Sequence, residues 1–107
     1  AGQTVETAKE YIRQHYAESD LSVEKLCAYL HLSSTYFSTL FKRETGTSFT
    51  AYVTTVRMEA AAEAIRSTEE KTYLIAQRCG YEDPNYFSYV FKRHFGVTPT
   101  KYRSEGK

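Results

Sequence analysis

Apolar residues recur along this chain at three- and four-residue steps and nowhere alternate with polar ones over more than a few positions, so the pattern predicts helices and no strands. Val5, Ala8, Ile12 and either Tyr11 or Tyr16 form the first stripe, in a helix over residues 4–16. Ser22 is placed as the N-cap of a short helix over 23–30, with Val23, Leu26, Cys27 and Leu30 inward. Ser33 caps a third helix that ends near Thr45, with Gly46 as its stop. Ser48 opens a longer helix to about Arg66, apolar at Phe49, Tyr52, Val53, Val56, Ala60 and Ala64. At 1.5 Å per residue it would be roughly 27 Å long.

The second half repeats the first. A short helix over 72–79 turns Thr72, Ile75, Ala76 and Cys79 inward and stops at Gly80. Asp83 and Pro84 are an N-cap and first-turn pair for a helix to Phe95, closed by Gly96. Thr98 and Pro99 start a last helix through Arg103, and the tail from Ser104 is expected to fray. Aligning residues 36–52 with 86–102 at an offset of 50 gives identity at nine of seventeen positions: Tyr36/Tyr86, Phe37/Phe87, Ser38/Ser88, Phe41/Phe91, Lys42/Lys92, Arg43/Arg93, Gly46/Gly96, Thr50/Thr100 and Tyr52/Tyr102. Upstream the offset is 49, pairing Leu26 with Ile75, Cys27 with Ala76, Leu30 with Cys79 and His31 with Gly80, so the second turn has gained one residue. Each copy is a short helix, a tight turn and a longer helix, which is the helix-turn-helix unit. His31 opposite Gly80 marks a turn position that needs positive φ.

Composition narrows the class. The 107 residues, 41% hydrophobic and 25% charged, are those of an ordinary globular protein, with no apolar run approaching the roughly 20 residues of a membrane span and no signal-peptide core. A cytoplasmic address is the default. The first residue is Ala1 rather than Met, which points to a processed protein or an excised fragment, with other domains expected elsewhere. Cys27 and Cys79 fall on apolar stripes and are expected to be reduced and buried. Cys27 and His31, at i and i+4, would need further ligands to hold a metal, and the sequence supplies none, so neither metal nor cofactor is expected. Net charge is +1, yet residues 1–70 carry 7 Lys/Arg against 10 Asp/Glu, a net of −3, and residues 71–107 carry 7 against 3, a net of +4. The C-terminal part is thus the more anion-facing, unless this is ordinary scatter.

The longer helix of each copy divides into two faces. In the first, Phe37, Leu40, Phe41 and Glu44 are read as inward and Thr35, Ser38, Thr39 and Lys42 as outward. In the second, Phe87, Val90, Phe91 and either His94 or Phe95 are inward, leaving Asn85, Ser88, Tyr89 and Lys92 outward. Hydroxyls and an amide near the helix start suit base edges in a DNA major groove, and Lys/Arg suit phosphates. The plainer reading is that Lys42-Arg43 and Lys92-Arg93 sit where the helix dipole favours cations, beside ordinary solvated hydroxyls. Two copies joined by a stiff helix tip the balance, since successive major-groove faces lie about 34 Å apart. No nucleophile elbow, zinc-protease motif or phosphate-cradling glycine loop is present, and His15, His31 and His94 are scattered, so no enzyme is expected.

"IAQRCGYEDPNYFSYVFKRHFGVTPTKYR", residues 75–103, resembles the signature of AraC/XylS-type transcription regulators, and "LCAYLHLSSTYFSTLFKRETGTSFTAYVTTVRMEAA" resembles that family's first helix-turn-helix and linker helix. The resemblance implies an all-α, homeodomain-like DNA-binding domain of about seven helices over 1–107. Its parts would be a first helix-turn-helix subdomain at 4–47, a linker helix at 48–66 and a second subdomain at 67–107. Carried over by position, base readers would be Thr35, Ser38 and Thr39, then Pro84, Asn85, Ser88 and Tyr89. Phosphate anchors would be Ser34, Lys42 and Arg43, then Lys92 and Arg93, with Thr54 on the linker helix. At Thr39 and Tyr89 the family often has a long basic residue, so bidentate guanine readout is not expected there. Arg57 has two readings, pairing with an acid between the two subdomains or contact with DNA.

In style, "YIRQHYAESDLSVEKLCAYLHLSSTYFSTLFKRETG" is similar to output domains fused behind the receivers of two-component response regulators, with sugar-binding sensors as the other common attachment. Implied partners are double-stranded DNA, RNA polymerase and an N-terminal receiver or sensor domain, with no membrane, and the isolated chain is expected to be monomeric. A protein-interaction module anchored by Tyr36 and Tyr89 is the alternative from another class.

Overall fold

Start and stop signals in the sequence become caps in the structure, a computed structural model that describes residues 2–105. It has seven helices among those residues and no strand: α1 (Gly2–His15), α2 (Val23–Leu30), α3 (Ser34–Thr45), α4 (Phe49–Ser67), α5 (Thr72–Arg78), α6 (Pro84–Phe95) and α7 (Pro99–Glu105). Ser22 accepts a hydrogen bond from the Lys25 amide at 3.1 Å, and Ser33 one from the Tyr36 amide at 3.1 Å. Asp83 accepts from the Asn85 amide at 2.9 Å, with Pro84 in the first turn, where its missing N–H costs nothing. Gly46 and Gly96 end α3 and α6 at φ +81° and +84°, donating back to the Lys42 and Lys92 carbonyls at 2.9 and 2.7 Å.

The described residues fall into two compact units, 2–16 with 20–56, and 17–19 with 57–105, so the chain of α4 is shared between them. In the first unit Val5, Ala8 and Ile12 of α1 pack with Leu26 and Cys27 of α2, Phe37, Leu40 and Phe41 of α3, and Phe49 and Val53 of α4. Tyr11, rather than Tyr16, joins this core as a half-buried neighbour. Phe49 meets the rings of Phe37 and Phe41 edge-on, both at 6.1 Å, and Tyr52 meets Phe41 at 5.4 Å and 88°. In the second unit Met58, Ala61, Ala62 and Ile65 of α4 pack with Ile75, Ala76, Cys79 and Tyr81, and with Phe87 and Phe91 of α6. Tyr102 stands edge-on to Phe91 at 5.4 Å and 79°, the counterpart of Tyr52 on Phe41. Repeated sequence has produced repeated packing.

The turns are equivalent too. Leu32 donates to the Cys27 carbonyl at 3.0 Å and Tyr81 to the Ala76 carbonyl at 2.9 Å, both closing five residues back. Each needs a left-handed residue just before it, and His31 (φ +60°) and Gly80 (φ +95°) supply it. His31 is the one non-glycine residue with positive φ among those described, as the alignment with Gly80 anticipates.

Several inward assignments change. Glu44 continues the 37–40–41 spacing but is exposed, because an unpaired carboxylate is too costly to bury. Half-buried Thr45 closes that end instead, donating to the Phe41 carbonyl at 2.8 Å. Of His94 and Phe95, the phenyl packs inward and the imidazole is exposed. A single stripe through Val56, Ala60 and Ala64 does not describe α4: Met58, Ala61, Ala62 and Ile65 are its buried second half, out of phase with Phe49 and Val53. One 3.6-residue period cannot join the two sets, since each half serves its own core. Helix α1 begins at Gly2 and ends at His15, α5 stops at Arg78, and α7 reaches Glu105. Ser104 and Glu105 are therefore helical, while the rest of the expected frayed tail, residues 106–107, lies outside the described residues.

Two outcomes follow from this packing. Holding His31 left-handed costs about 1–2 kcal/mol, and glycine at that position would lose about 0.5–1 kcal/mol of that relief to its freer unfolded chain. His31→Gly is therefore expected to stabilise the protein by up to about 1 kcal/mol and Gly80→Ala to destabilise it by at least that much, read from urea midpoints; a lower midpoint for His31→Gly would contradict the strain argument. Cys27 and Cys79 are free and buried, and burial pushes both thiols above their ordinary values. Iodoacetamide at mildly alkaline pH should leave both unmodified in the native protein and alkylate both in denaturant, as followed by mass spectrometry.

Candidate nucleic-acid interface

Burial of Phe37, Leu40 and Phe41 leaves the opposite arc of α3 in water, and burial of Phe87 and Phe91 does the same for α6. On a 100°-per-residue wheel each arc carries two stripes at i, i+3, i+7. In α3 they are Thr35, Ser38, Lys42 and Tyr36, Thr39, Arg43; in α6 they are Asn85, Ser88, Lys92 and Tyr86, Tyr89, Arg93. Thr35, Ser38 and Thr39 are exposed, as are Pro84, Asn85 and Tyr89, while Ser88 is half-buried. Within each unit these residues share one helix face, except Pro84, which lies at its edge beside the buried side of α6. Thr54 and Ser34 are less available: both are half-buried, and the Thr54 hydroxyl donates to the Thr50 carbonyl at 3.1 Å.

The cations on these faces differ from most others on the surface, although exposed Lys71 is likewise in no ion pair among the described residues. Lys9, Arg13, Lys25, Arg66, Arg78 and Lys101 each lie within 4 Å of a carboxylate. Lys42, Arg43 and Lys92 are exposed and in no ion pair among the described residues, and Arg93 is held by a phenol, Tyr89, rather than by an acid. Their charge stands uncompensated at the ends of the two helices, although the chain as a whole carries only +1.

In the first unit Ser38, Thr39, Lys42 and Arg43 border a groove of about 610 Å³ whose far wall is the start of α4, Ser48 to Thr50. Ser48 caps that helix by accepting from the Ala51 amide at 3.1 Å, and Thr98 does the same for Lys101 at 3.2 Å in the second unit. The sequence reading gave Ser48 and Thr50 no role at the site. The signal was present, since Thr50 is one of the repeated positions, but only the fold brings it beside Lys42 and Arg43.

Arg57 makes contacts within the protein. Its Nη2 donates to the Glu18 backbone carbonyl at 2.8 Å, and its guanidinium lies 5.4 Å from the centre of the Tyr81 ring. Ser19 in the same segment donates to Glu82 at 2.8 Å. Arg57 thus fixes residues 17–19 against the turn between α5 and α6. No cluster of three or more His, Cys, Asp or Glu side chains fit for a metal occurs among the described residues, nor any helix long and apolar enough to cross a membrane.

A family model described as a helix-turn-helix domain matches residues 26–105. Among solved structures, the C-terminal domain of AraT, a response regulator from Geobacillus stearothermophilus, is 42% identical, with a TM-score of 0.93 over 94% of this chain and 84% of that one. The DNA-binding domain of AdpA, a global transcriptional factor solved in complex with a target DNA, is 25% identical with a TM-score of 0.87, covering 94% of this chain and 89% of that one. The regulatory protein PocR of Salmonella typhimurium is 36% identical over 98 residues, 92% of this chain but 32% of PocR. The chain spans about a third of the length, or less, of the curated relatives it matches over most of its own. With both helix-turn-helix units present and the match running through each of them, the chain belongs to the AraC/XylS-type helix-turn-helix family of transcription regulators.

Proposed function

We propose that this chain is the part of a transcription regulator that binds double-stranded DNA sequence-specifically, α3 and α6 each entering a successive segment of the major groove. One observation carries the reading: each of two repeat-related helices buries its phenylalanines and turns small polar groups and cations with no acidic partner among the described residues to water on its own opposite face. Thr35, Ser38 and Thr39 in α3, and Pro84, Asn85, Ser88 and Tyr89 in α6, are the base-facing set. Asn85 has the amide that pairs bidentately with adenine. Lys42, Arg43, Lys92 and Arg93 face phosphates, with Ser34 and Thr54 as weaker candidates because each is half-buried. The family is one of DNA-binding regulators rather than enzymes.

In the whole protein we place a receiver or sensor domain outside this chain, an RNA polymerase contact, an activating role and a cytoplasmic address. The description of AraT as a response regulator supports a receiver, and RhaR of Mannheimia succiniciproducens, named a transcriptional activator and 46% identical over 65 residues, supports activation. Monomeric behaviour is the reading for the isolated chain. A protein-interaction role has its own support in the exposed rings of Tyr36 (55%) and Tyr89 (57%), since tyrosine is an amphipathic anchor common at interfaces. A gel-shift titration that finds no DNA binding even at low salt would favour it.

Four cationic phosphate contacts predict a salt slope, d log K/d log[salt], of roughly −3 to −4. Asn85→Ala is expected to weaken the best site, selected from random oligonucleotides, by about 1–3 kcal/mol and to relax base choice there. Lys42→Ala should instead weaken all sequences alike and make the slope shallower by about one. Fluorescence anisotropy on cognate and random duplexes separates these outcomes, and equal losses on both for Asn85→Ala would remove its assigned role.

A further inference from the structure

We infer that Tyr89, counted above with the base-facing set because it is exposed on that face, acts instead as a positioning residue for Arg93, aiming that guanidinium at a backbone phosphate. The inference rests on the DNA-binding reading above and concerns how the second helix achieves it. Arg93 lies one turn beyond Tyr89, with its guanidinium carbon 5.8 Å from the ring centre. Its Nη1 donates to the Tyr89 phenol oxygen at 3.4 Å. Both contacts are long, and together they place the guanidinium beside the ring and its hydroxyl.

Tyr89 is itself supported. Its ring stacks on Tyr86 at 6.2 Å and 28°, and Tyr86 stands 6.1 Å from Tyr81. Tyr81 is 8% exposed and lies 5.5 Å from Phe87 in the core. A ladder of rings therefore runs from the interior of the unit to the guanidinium. Arginine is long and rotamer-rich, so an arm already held by a ring loses less freedom when it meets a phosphate. Because the phenol oxygen accepts from Arg93, its own O–H is left to donate outward, and the pair presents cationic N–H and phenolic O–H together.

The first copy provides an internal comparison. Tyr36, Thr39 and Arg43 occupy the same i, i+3, i+7 positions, but Thr39 has no ring to hold Arg43. Unlike Asn85, Tyr89 therefore has its polar atom engaged within the protein before any DNA arrives.

The test uses the whole chain, wild type and the Tyr89→Ala, Tyr89→Phe, Arg93→Ala and Tyr89→Ala/Arg93→Ala variants, with circular dichroism to verify folding. Binding to a duplex selected with the wild type and to a random duplex is measured over a salt series. Tyr89→Ala is expected to weaken both duplexes by the same factor, roughly two- to five-fold at low salt. It should make the salt slope shallower, and Tyr89→Phe, which keeps the ring, should fall between it and wild type. In the Arg93→Ala background, Tyr89→Ala should change nothing further. The inference is overturned if Tyr89→Ala alters base preference at fixed positions with an unchanged salt slope, or if the two substitutions multiply in the double variant. A wild-type selection that enriches no duplex, with no binding to the random duplex even at low salt, would sink the DNA-binding reading itself, a result distinct from either of those.

Discussion

Everything displayed by α3 and α6 depends on two phenylalanines buried one turn apart in each. Helices of twelve residues are marginal alone, so tertiary burial has to stabilise them. Phe37 and Phe41 lie 5.5 Å apart and Phe87 and Phe91 5.9 Å apart, all fully buried. Burying a phenyl ring contributes about 1.5–3 kcal/mol, more than the roughly 1 kcal/mol typical of a cap and several times what an exposed ion pair adds. Once those rings are inside, helical geometry leaves no choice about which residues face water. Thr35, Ser38 and Thr39, or Asn85, Ser88 and Tyr89, are outward because the phenylalanines are inward. The interface is in this sense a by-product of the core.

The two units meet the same demands with different residues. A left-handed residue must follow each short helix, and the chain uses histidine in one unit and glycine in the other. Between that residue and the next N-cap the first turn has only Leu32, whereas the second has Tyr81 and Glu82. The extra residue accompanies a local arrangement with no counterpart in the first copy: Tyr81 starts the ring ladder and lies under Arg57, while Glu82 accepts from Ser19. A one-residue insertion in a turn has thereby become a set of tertiary contacts around α6.

What could be read from the residues alone was whatever local physics decides. Caps at Ser22, Ser33 and Asp83, the stop at Gly46 and Gly96, and the strained backbone at His31 follow from hydrogen bonding and sterics within a few residues, and the repeat gave all of them but Ser22, whose counterpart is Lys71, a second witness. Less legible was anything settled by distant partners. The second half of α4 is rich in alanine, which fits either side of a helix, so its buried face is decided by α5 and α6 rather than by its own pattern. Arg57 reaches a backbone carbonyl 39 positions away, and no side-chain pairing rule points to a carbonyl. Glu44 kept the spacing of a buried residue but not the chemistry, and the cost of burying a charge prevailed over periodicity.

The placement of charge bears on why a chain of net charge +1 should suit a polyanion. Net charge governs long-range attraction, which at physiological salt is screened within about 8 Å. Within that range what counts is whether each cation already has a partner. Acids lie beside Lys9, Arg13, Lys25, Arg66, Arg78 and Lys101; among the described residues Lys42, Arg43 and Lys92, like Lys71 at the start of α5, have none, and Arg93 is steadied by a neutral ring that leaves its charge intact. The helix dipole accounts for a cation in a last turn, since Arg13 and Arg66 stand in such turns as well. It does not account for the difference between those two, each paired with a glutamate three residues earlier, and the unpaired cations of α3 and α6. At the corresponding positions, three residues before Lys42, Arg43, Lys92 and Arg93, stand Thr39, Leu40, Tyr89 and Val90, none of which can neutralise a charge. Carboxylates are kept away from the two faces where an incoming phosphate would have to compete with them.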